Sequence, residues 1–429
     1  MAKNTDPNLQ KQVIYCIYVR SHTEEGTFRA ILPDLDRIRG LGVDIVWFMP
    51  IHPIGVEGKK GSLGCPYANR DYRAVNPAYG TMEDFRALAD AIHARGMKLM
   101  IDVVYNHASP DCVLFEQHPE FFWHDAEGKP GNKIGNWADV IDLDYTKPAL
   151  WDYQIESLCG WAQIVDGFRC DVASFVPLAF WEKARAAVEK VRPGCIWLAE
   201  TVHGGFGASA RHSGFYSATD YEVFSAFDLE YEYDIREYFE RYLRGEIELS
   251  HWLDMLNVQE AMYPSNYNKM RCLENHDQPR IASFVPEESE LVNFTALLYF
   301  LKGATLLYAG QEVEETHKPS LFEKEPVNWN TGKNLSPLLR RLAAIKHELL
   351  GTEDSFRAAA DDEHHIAILE RDSGEQVSIG LFSLRGQSAA VRVKAPDGTY
   401  ENRIDGSAVL VENGHTFCAG KPVIFTYRK

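Results

Sequence analysis

Between about residue 12 and residue 350, apolar runs of strand length alternate with segments of helical period, eight times over. A parallel sheet wrapped by helices requires this alternation, because each strand must return through a crossover to lie beside the previous one. The clearest unit runs from Thr81 to His107. Thr81 is placed to cap a helix with Asp84 three positions on, and Phe85, Leu88, Ala89 and Ile92 then share one face. Gly96 stops that helix, and residues 98–105 follow as a strand apolar on both faces. Similar strands read at 13–19, 45–49, 165–170, 196–199, 270–273 and 304–308, with a weaker one near Ser225 to Asp228. Helical patterns between them include 151–163, 178–190 and 293–302. The count predicts an α/β fold, a closed (β/α)8 TIM barrel over residues 12–350, with an open doubly wound sheet as the competing arrangement.

Beyond residue 352 the texture changes to short alternating strands, such as 376–384 and 390–394. Asp397-Gly398, Asp405-Gly406 and Asn413-Gly414 supply turn signals between them. Residues 352–429 are therefore expected to form a C-terminal antiparallel β domain, a sandwich. The stretch 108–148, polar and rich in glycine and aromatics, is too long for an ordinary connection. It is expected to be a short insertion after the third strand that serves the active site.

Barrels place their reactive side chains where strands end at one face. The third strand leads into Asp102-Val-Val-Tyr-Asn106-His107 and the fourth ends Arg169-Cys170-Asp171. The fifth ends Ala199-Glu200, and the seventh ends Glu274-Asn275-His276-Asp277. Arg169 and Asp171, two apart on a strand, point the same way, and a guanidinium beside a carboxylate is expected to keep it ionised. Glu200 is free to hold a proton if its surroundings are drier or more negative. Two carboxyls on adjacent strand ends permit the separation of ~5–5.5 Å used in retaining glycoside cleavage. Singly, each of these segments has an ordinary structural reading as an ion pair, a cap or a turn. In order at successive strand ends, they point to one site.

The formal charge of −18 and pI of about 5.3 argue against nucleic acid or an anionic membrane surface as partner, and are compatible with a neutral substrate. The longest hydrophobic stretch, residues 294–310, is broken by Lys302 and is too short to span a bilayer. Eight cysteines without paired spacing, and a polar start lacking a secretory h-region, fit a reducing cytoplasm.

The ordered segments 102–107 (DVVYNH), 167–173 (GFRCDVA), 198–201 (LAET) and 274–280 (ENHDQPR) resemble the four signature regions of the α-amylase superfamily, glycoside hydrolase family thirteen. Residues 41–50, 141–144 (IDLD) and 308–312 (YAGQE) add supporting matches, so the resemblance covers the whole barrel. It implies that Asp171 is the nucleophile, Glu200 the general acid/base and Asp277 a stabiliser of the oxocarbenium-like transition state. Arg169 would position Asp171, with Asp102 supporting that cluster, and His107 and His276 would bind sugar hydroxyls. Tyr67, in CPYANRDY (65–72), would stack on the sugar being cleaved.

The sequence also departs from the family. A Lys-His pair that many members carry after the nucleophile is replaced by Ser174-Phe175. The Asp and Arg often found after the eighth strand do not align within residues 316–324. Asn106 and Asp142 match positions that bind calcium in many relatives, yet a short insertion offers few of the oxygens needed, so no cofactor is expected to be required. Phe121, Phe122, Trp123 and Trp137 read either as sugar platforms or as the insertion's own small core. The expected function is hydrolysis of α-1,4 bonds in maltodextrins or maltooligosaccharides through a covalent intermediate. α-Glucosidase action, transglycosylation and α-1,6 specificity are its rivals, and a non-catalytic glucan binder a more distant one. Oligomeric state is not legible.

Overall fold

The computed structural model describes residues 4–135 and 137–429. Eight parallel strands close into a barrel: β1 (Val13–Ile17), β2 (Ile45–Phe48), β3 (Lys98–Val103), β4 (Gly167–Cys170), β5 (Ile196–Ala199), β6 (Leu229–Tyr231), β7 (Lys269–Arg271) and β8 (Ala304–Tyr308). They pair in the cyclic order β1-β8-β7-β6-β5-β4-β3-β2, so the open doubly wound sheet is excluded. Ile14, Cys16, Trp47, Met100, Leu198 and Tyr231 fill the interior, while the alternate residues of the same strands pack outward against the helices. This two-residue alternation, run on past the strand ends, decides which side chains reach the barrel mouth.

Local chemistry sets the helix ends. Thr81 Oγ accepts the Asp84 N–H at 3.2 Å and Asp84 accepts the Thr81 N–H at 2.9 Å, a closed capping box at the start of helix Met82–Ala94. The sixth strand begins at Leu229, not within 225–228 as its sequence suggested. Asp228 has another task there. It binds Arg185 at 2.9 and 2.6 Å and accepts the Trp197 N–H at 2.9 Å, ending the turn that delivers β6. The strand expected to run to Tyr105 stops at Val103. His107–Ala108 then pairs antiparallel with Ile141–Asp142 and closes the base of the insertion.

Residues 355–428 form two antiparallel four-stranded sheets. The first contains β9 (Ser355–Asp361), β10 (Ile366–Asp372), β11 (Gln376–Ser383) and β16 (Val423–Arg428). The second contains β12 (Ser388–Arg392), β13 (Gly398–Glu401), β14 (Ala408–Glu412) and β15 (His415–Ala419). Phe356, Leu369, Phe382 and Ile424 of the first sheet belong to the same apolar core as the barrel's helices. Asn257 on helix Leu249–Met262 exchanges two hydrogen bonds with the Ala358 backbone, at 2.8 and 2.9 Å, which stitches β9 to the barrel. No helix among the described residues is long and apolar enough to cross a membrane.

Candidate active site

Register brings the charged groups together. Asp102 on β3 lies beside Arg169 on β4, which lies beside Leu198 on β5, two residues before Glu200. All point to the barrel axis, so a single guanidinium meets three carboxylates. Arg169 Nη1 donates to both oxygens of Asp102, at 2.9 and 3.0 Å, and to Asp171 Oδ1 at 2.8 Å. Its Nη2 sits 2.8 Å from Glu200 Oε1, an ion-pair contact off the hydrogen-bonding direction, and its Nε reaches the Tyr231 hydroxyl at 3.2 Å. The rings of Trp47, Tyr67 and Tyr231 surround the guanidinium with centroids 5.3–5.6 Å away, so it cannot swing toward solvent.

The turn after β4 is strained. Val172 takes φ +36°, a left-handed conformation that β-branched residues rarely adopt, and its N–H donates to Glu200 Oε2 at 2.9 Å. The Ala173 N–H donates to the Glu200 carbonyl at 2.9 Å. The turn that follows Asp171 and the strand end that carries Glu200 are thus locked to each other. Asp277 is fixed differently: its own N–H and that of Gln278 both donate to Asn275 Oδ1, at 2.8 and 2.9 Å, holding a tight turn at the end of β7.

These surroundings grade the three acids. Burial pushes Glu200 up to about 8, opposed by Arg169 and reinforced by the negative Asp171 and Asp277. Burial also raises Asp171, to about 6, because Arg169 is shared with Asp102 and cannot fully offset desolvation. Arg169 opposes that rise, so the Asp171 carboxyl still ionises below neutral pH. Burial acts on Asp277 too, but His276, Arg169 and Lys318 outweigh it and hold that carboxyl down at about 2. Asp277 and Asp171 are charged near neutral pH, and Glu200 carries a proton.

The remaining expected residues converge on the same opening, a cavity of about 390 Å³. The Tyr67 hydroxyl donates to Asp102 Oδ2 at 3.0 Å and lies 2.7 Å from His276 Nε2, with the Tyr67 and His276 rings stacked 5.5 Å apart. His276 Nε2 is 3.1 Å from Asp277 Oδ2, and His107 Nε2 is 3.8 Å from Asp171 Oδ2. Of the aromatics in the insertion, Phe121 and Phe122 are buried in the core, while Trp137 lines the cavity against His107 and Phe206. Trp123 packs on Phe215 at a separate groove.

Other wall residues escaped sequence reasoning: Lys60, Asp139, His203, Tyr233 and Phe322. His203 and Tyr233 stack at 4.6 Å beside Glu200. All five sit on loops with no repeating pattern, although Tyr233 continues the inward alternation of β6. Ser174 and Phe175 are buried and do not line the cavity. Within 316–324, Leu321 and Phe322 line the cavity, and Lys318 Nζ donates to the Asp277 carbonyl at 3.0 Å.

Asn106 and Asp142, the pair matched to a calcium position, do not fit that ion. Asp142 Oδ2 accepts the Lys133 N–H at 2.7 Å, its Oδ1 faces Asn132 Nδ2 at 3.4 Å, and Asn106 Nδ2 lies against His107 Nδ1 at 3.2 Å. The Lys133 ammonium already supplies positive charge beside Asp142. Among the described residues, no group of three or more His, Cys, Asp or Glu side chains is arranged to hold a metal.

An eight-stranded barrel with graded carboxyls around one arginine at its mouth defines a class, the glycoside-cleaving barrel enzymes. Residues 4–140 and 134–366 match the family described as "Alpha amylase, catalytic domain", and residues 357–425 match "Bacterial Alpha amylase C-terminal domain". The chain belongs to the α-amylase family of glycoside hydrolases. It is 41% identical to an α-amylase of known structure from Lactobacillus plantarum, covering 98% of this chain and 100% of that one with a TM-score of 0.95. To a noncanonic maltogenic α-amylase, AmyB, from Thermotoga neapolitana it is 31% identical, covering 98% and 100% with a TM-score of 0.87. With the α-amylase MalA of Haloarcula japonica it shares 26% identity over 79% of this chain, and it spans about half (49%) of that longer relative.

Proposed function

We propose that the protein hydrolyses α-1,4-glucosidic bonds of maltodextrins or maltooligosaccharides with retention of configuration. The observation carrying this reading is the convergence of Asp171, Glu200 and Asp277 on one cavity, with their protonation graded from about 2 to about 8. Asp171, ionised, attacks the anomeric carbon as the bond to the leaving oxygen breaks, and Glu200 gives that oxygen its proton. Glu200, now a carboxylate, removes a proton from water, which displaces Asp171 from the anomeric carbon. Asp277, charged throughout, faces the positive charge that develops on the ring. Tyr67, His107 and His276 surround the sugar, and Asp102 holds Arg169.

Transfer to a second sugar is the competing outcome of the same intermediate. Val172, Val202 and Phe206 line the Glu200 side of the cavity and favour the apolar face of an acceptor over water. The Lys133 ammonium and the pairing of Asp142 support activity without calcium. The eight cysteines, all free, support a reducing compartment.

The test is a time course on maltoheptaose, with Asp171→Asn as background. Shorter maltooligosaccharides, absent from the variant, are expected. Products longer than the substrate would assign transfer, and no turnover above the variant's would reject the α-1,4 reading.

A further inference from the structure

The loop between β2 and Tyr67 does more than carry that tyrosine. Residues 55–64 run across the barrel mouth and are fastened at both sides. On the β3 side, Lys60 Nζ lies 2.7 Å from the buried Asp139 carboxylate, and Gly58 approaches the Ala138 carbonyl so closely that a Cβ would sit 3.2 Å from it. On the β8 side, the Ser62 N–H donates to Glu323 Oε1 at 2.8 Å and the Leu63 N–H to the Phe322 carbonyl at 3.0 Å. Arg20, just past β1, donates from below to the carbonyls of Gly64 and Leu321, at 3.1 and 3.0 Å. Gly61 takes φ +64° where a Cβ would meet Phe322 and Glu323 at 2.6 Å, so the crossing is tight enough to demand glycine.

The Lys60–Asp139 pair is partly exposed and contributes little alone. The backbone hydrogen bonds and the buried stem of Arg20 fix the loop. Loops following β2, β3 and β8 are thereby joined into one bridge over β1.

In a closed barrel of eight strands β1 stands opposite β5, and β5 ends in Glu200. The acid that protonates the leaving oxygen marks the side from which the leaving part of the substrate departs. The bridge therefore stands at the other end, where the non-reducing part of the chain must lie. On the departure side the cavity is lined by Thr201, Val202, His203 and Phe206, which follow β5.

Resting on the α-1,4 reading above, we propose that this bridge walls off the non-reducing end of the cleft. The enzyme then works from that chain end, releasing short units of one length, and the remainder extends past Val202, His203 and Phe206.

The probes are 4-nitrophenyl maltoheptaoside with a free non-reducing end, and the same glycoside with its terminal 4- and 6-hydroxyls tied by an ethylidene group. Wild-type enzyme is expected to shorten the free glycoside by one short sugar size from the first time point, the aryl group staying on the shrinking chain. The blocked glycoside is expected to remain intact. Consumption of both at similar rates, with ethylidene-bearing fragments, would overturn the proposal. Consumption of neither would overturn the α-1,4 reading instead, and with it this one. An Arg20→Ala, Glu323→Ala double variant, which removes the Arg20 hydrogen bonds to the Gly64 and Leu321 carbonyls and the acceptor of the Ser62 N–H, is expected to begin consuming the blocked glycoside. If it stays as strict as wild type, the bridge is not the wall.

Discussion

Arg169 serves three carboxylates with one positive charge, and burial, which that charge only partly offsets, raises Asp102 and Asp171 to about 6 and Glu200 to about 8. The proposed mechanism needs Asp171 ionised and Glu200 protonated, so activity is expected to fall as pH drops through about 6 and again as pH rises through about 8. Because the groups are coupled, the two limbs belong to the cluster as a whole. Glu200→Gln, assayed on a glycoside whose leaving group needs no proton, is expected to lose the alkaline limb and keep the acid one. A kcat/KM profile against pH measures both, and an alkaline limb that survives the substitution would assign it to another group. Stability follows the same grading. A carboxyl whose folded pKa is raised keeps its proton at a pH where the unfolded chain has lost it, so these groups favour folding as pH falls from about 8 toward the ordinary carboxylate range. The charged residues of this cluster were legible from the sequence because strand ends fix their direction. Their protonation was not, since it depends on how many acids share one arginine.

Strands bounded by hydrophobic alternation were read to within a few residues, and the errors have local causes. Asp228 ended a turn through Arg185 and the Trp197 N–H, contacts made across 43 and 31 residues that no local pattern reveals. Close backbone approach is equally invisible. Gly303, leading into β8 with φ +122°, has its Cα so near β7 that a Cβ would lie 2.1 Å from the Lys269 carbonyl. Both the dihedral and the clash oppose any side chain, and neither neighbour is a flexible group that can give way. Gly303→Ala is expected to destabilise the fold by more than about 3 kcal/mol. A urea unfolding midpoint checks this, and a midpoint unchanged from wild type would mean the two strands lie farther apart than described.

Across the whole molecule, the wall of the cleft comes from loops after β2, β3 and β8 that are distant in sequence, which is why Lys60, Asp139 and Phe322 gave no signal. The same holds for the Lys133 ammonium near Asp142. On the proposed calcium-independent reading, prolonged treatment with a chelator is expected to leave both Tm and turnover unchanged. Loss of either, restored by added calcium, would show that a metal is held after all. The two-part organisation was visible in the change of texture near residue 352, but the shared core was not. Phe356, Leu369, Phe382 and Ile424 look in sequence like the inside of an independent sandwich, and in the fold they face barrel helices. A recombination event that exchanged the C-terminal module for one from another lineage would therefore have to inherit the matching barrel surface as well. The two parts are expected to descend together, as one unit of inheritance, even though their folds differ.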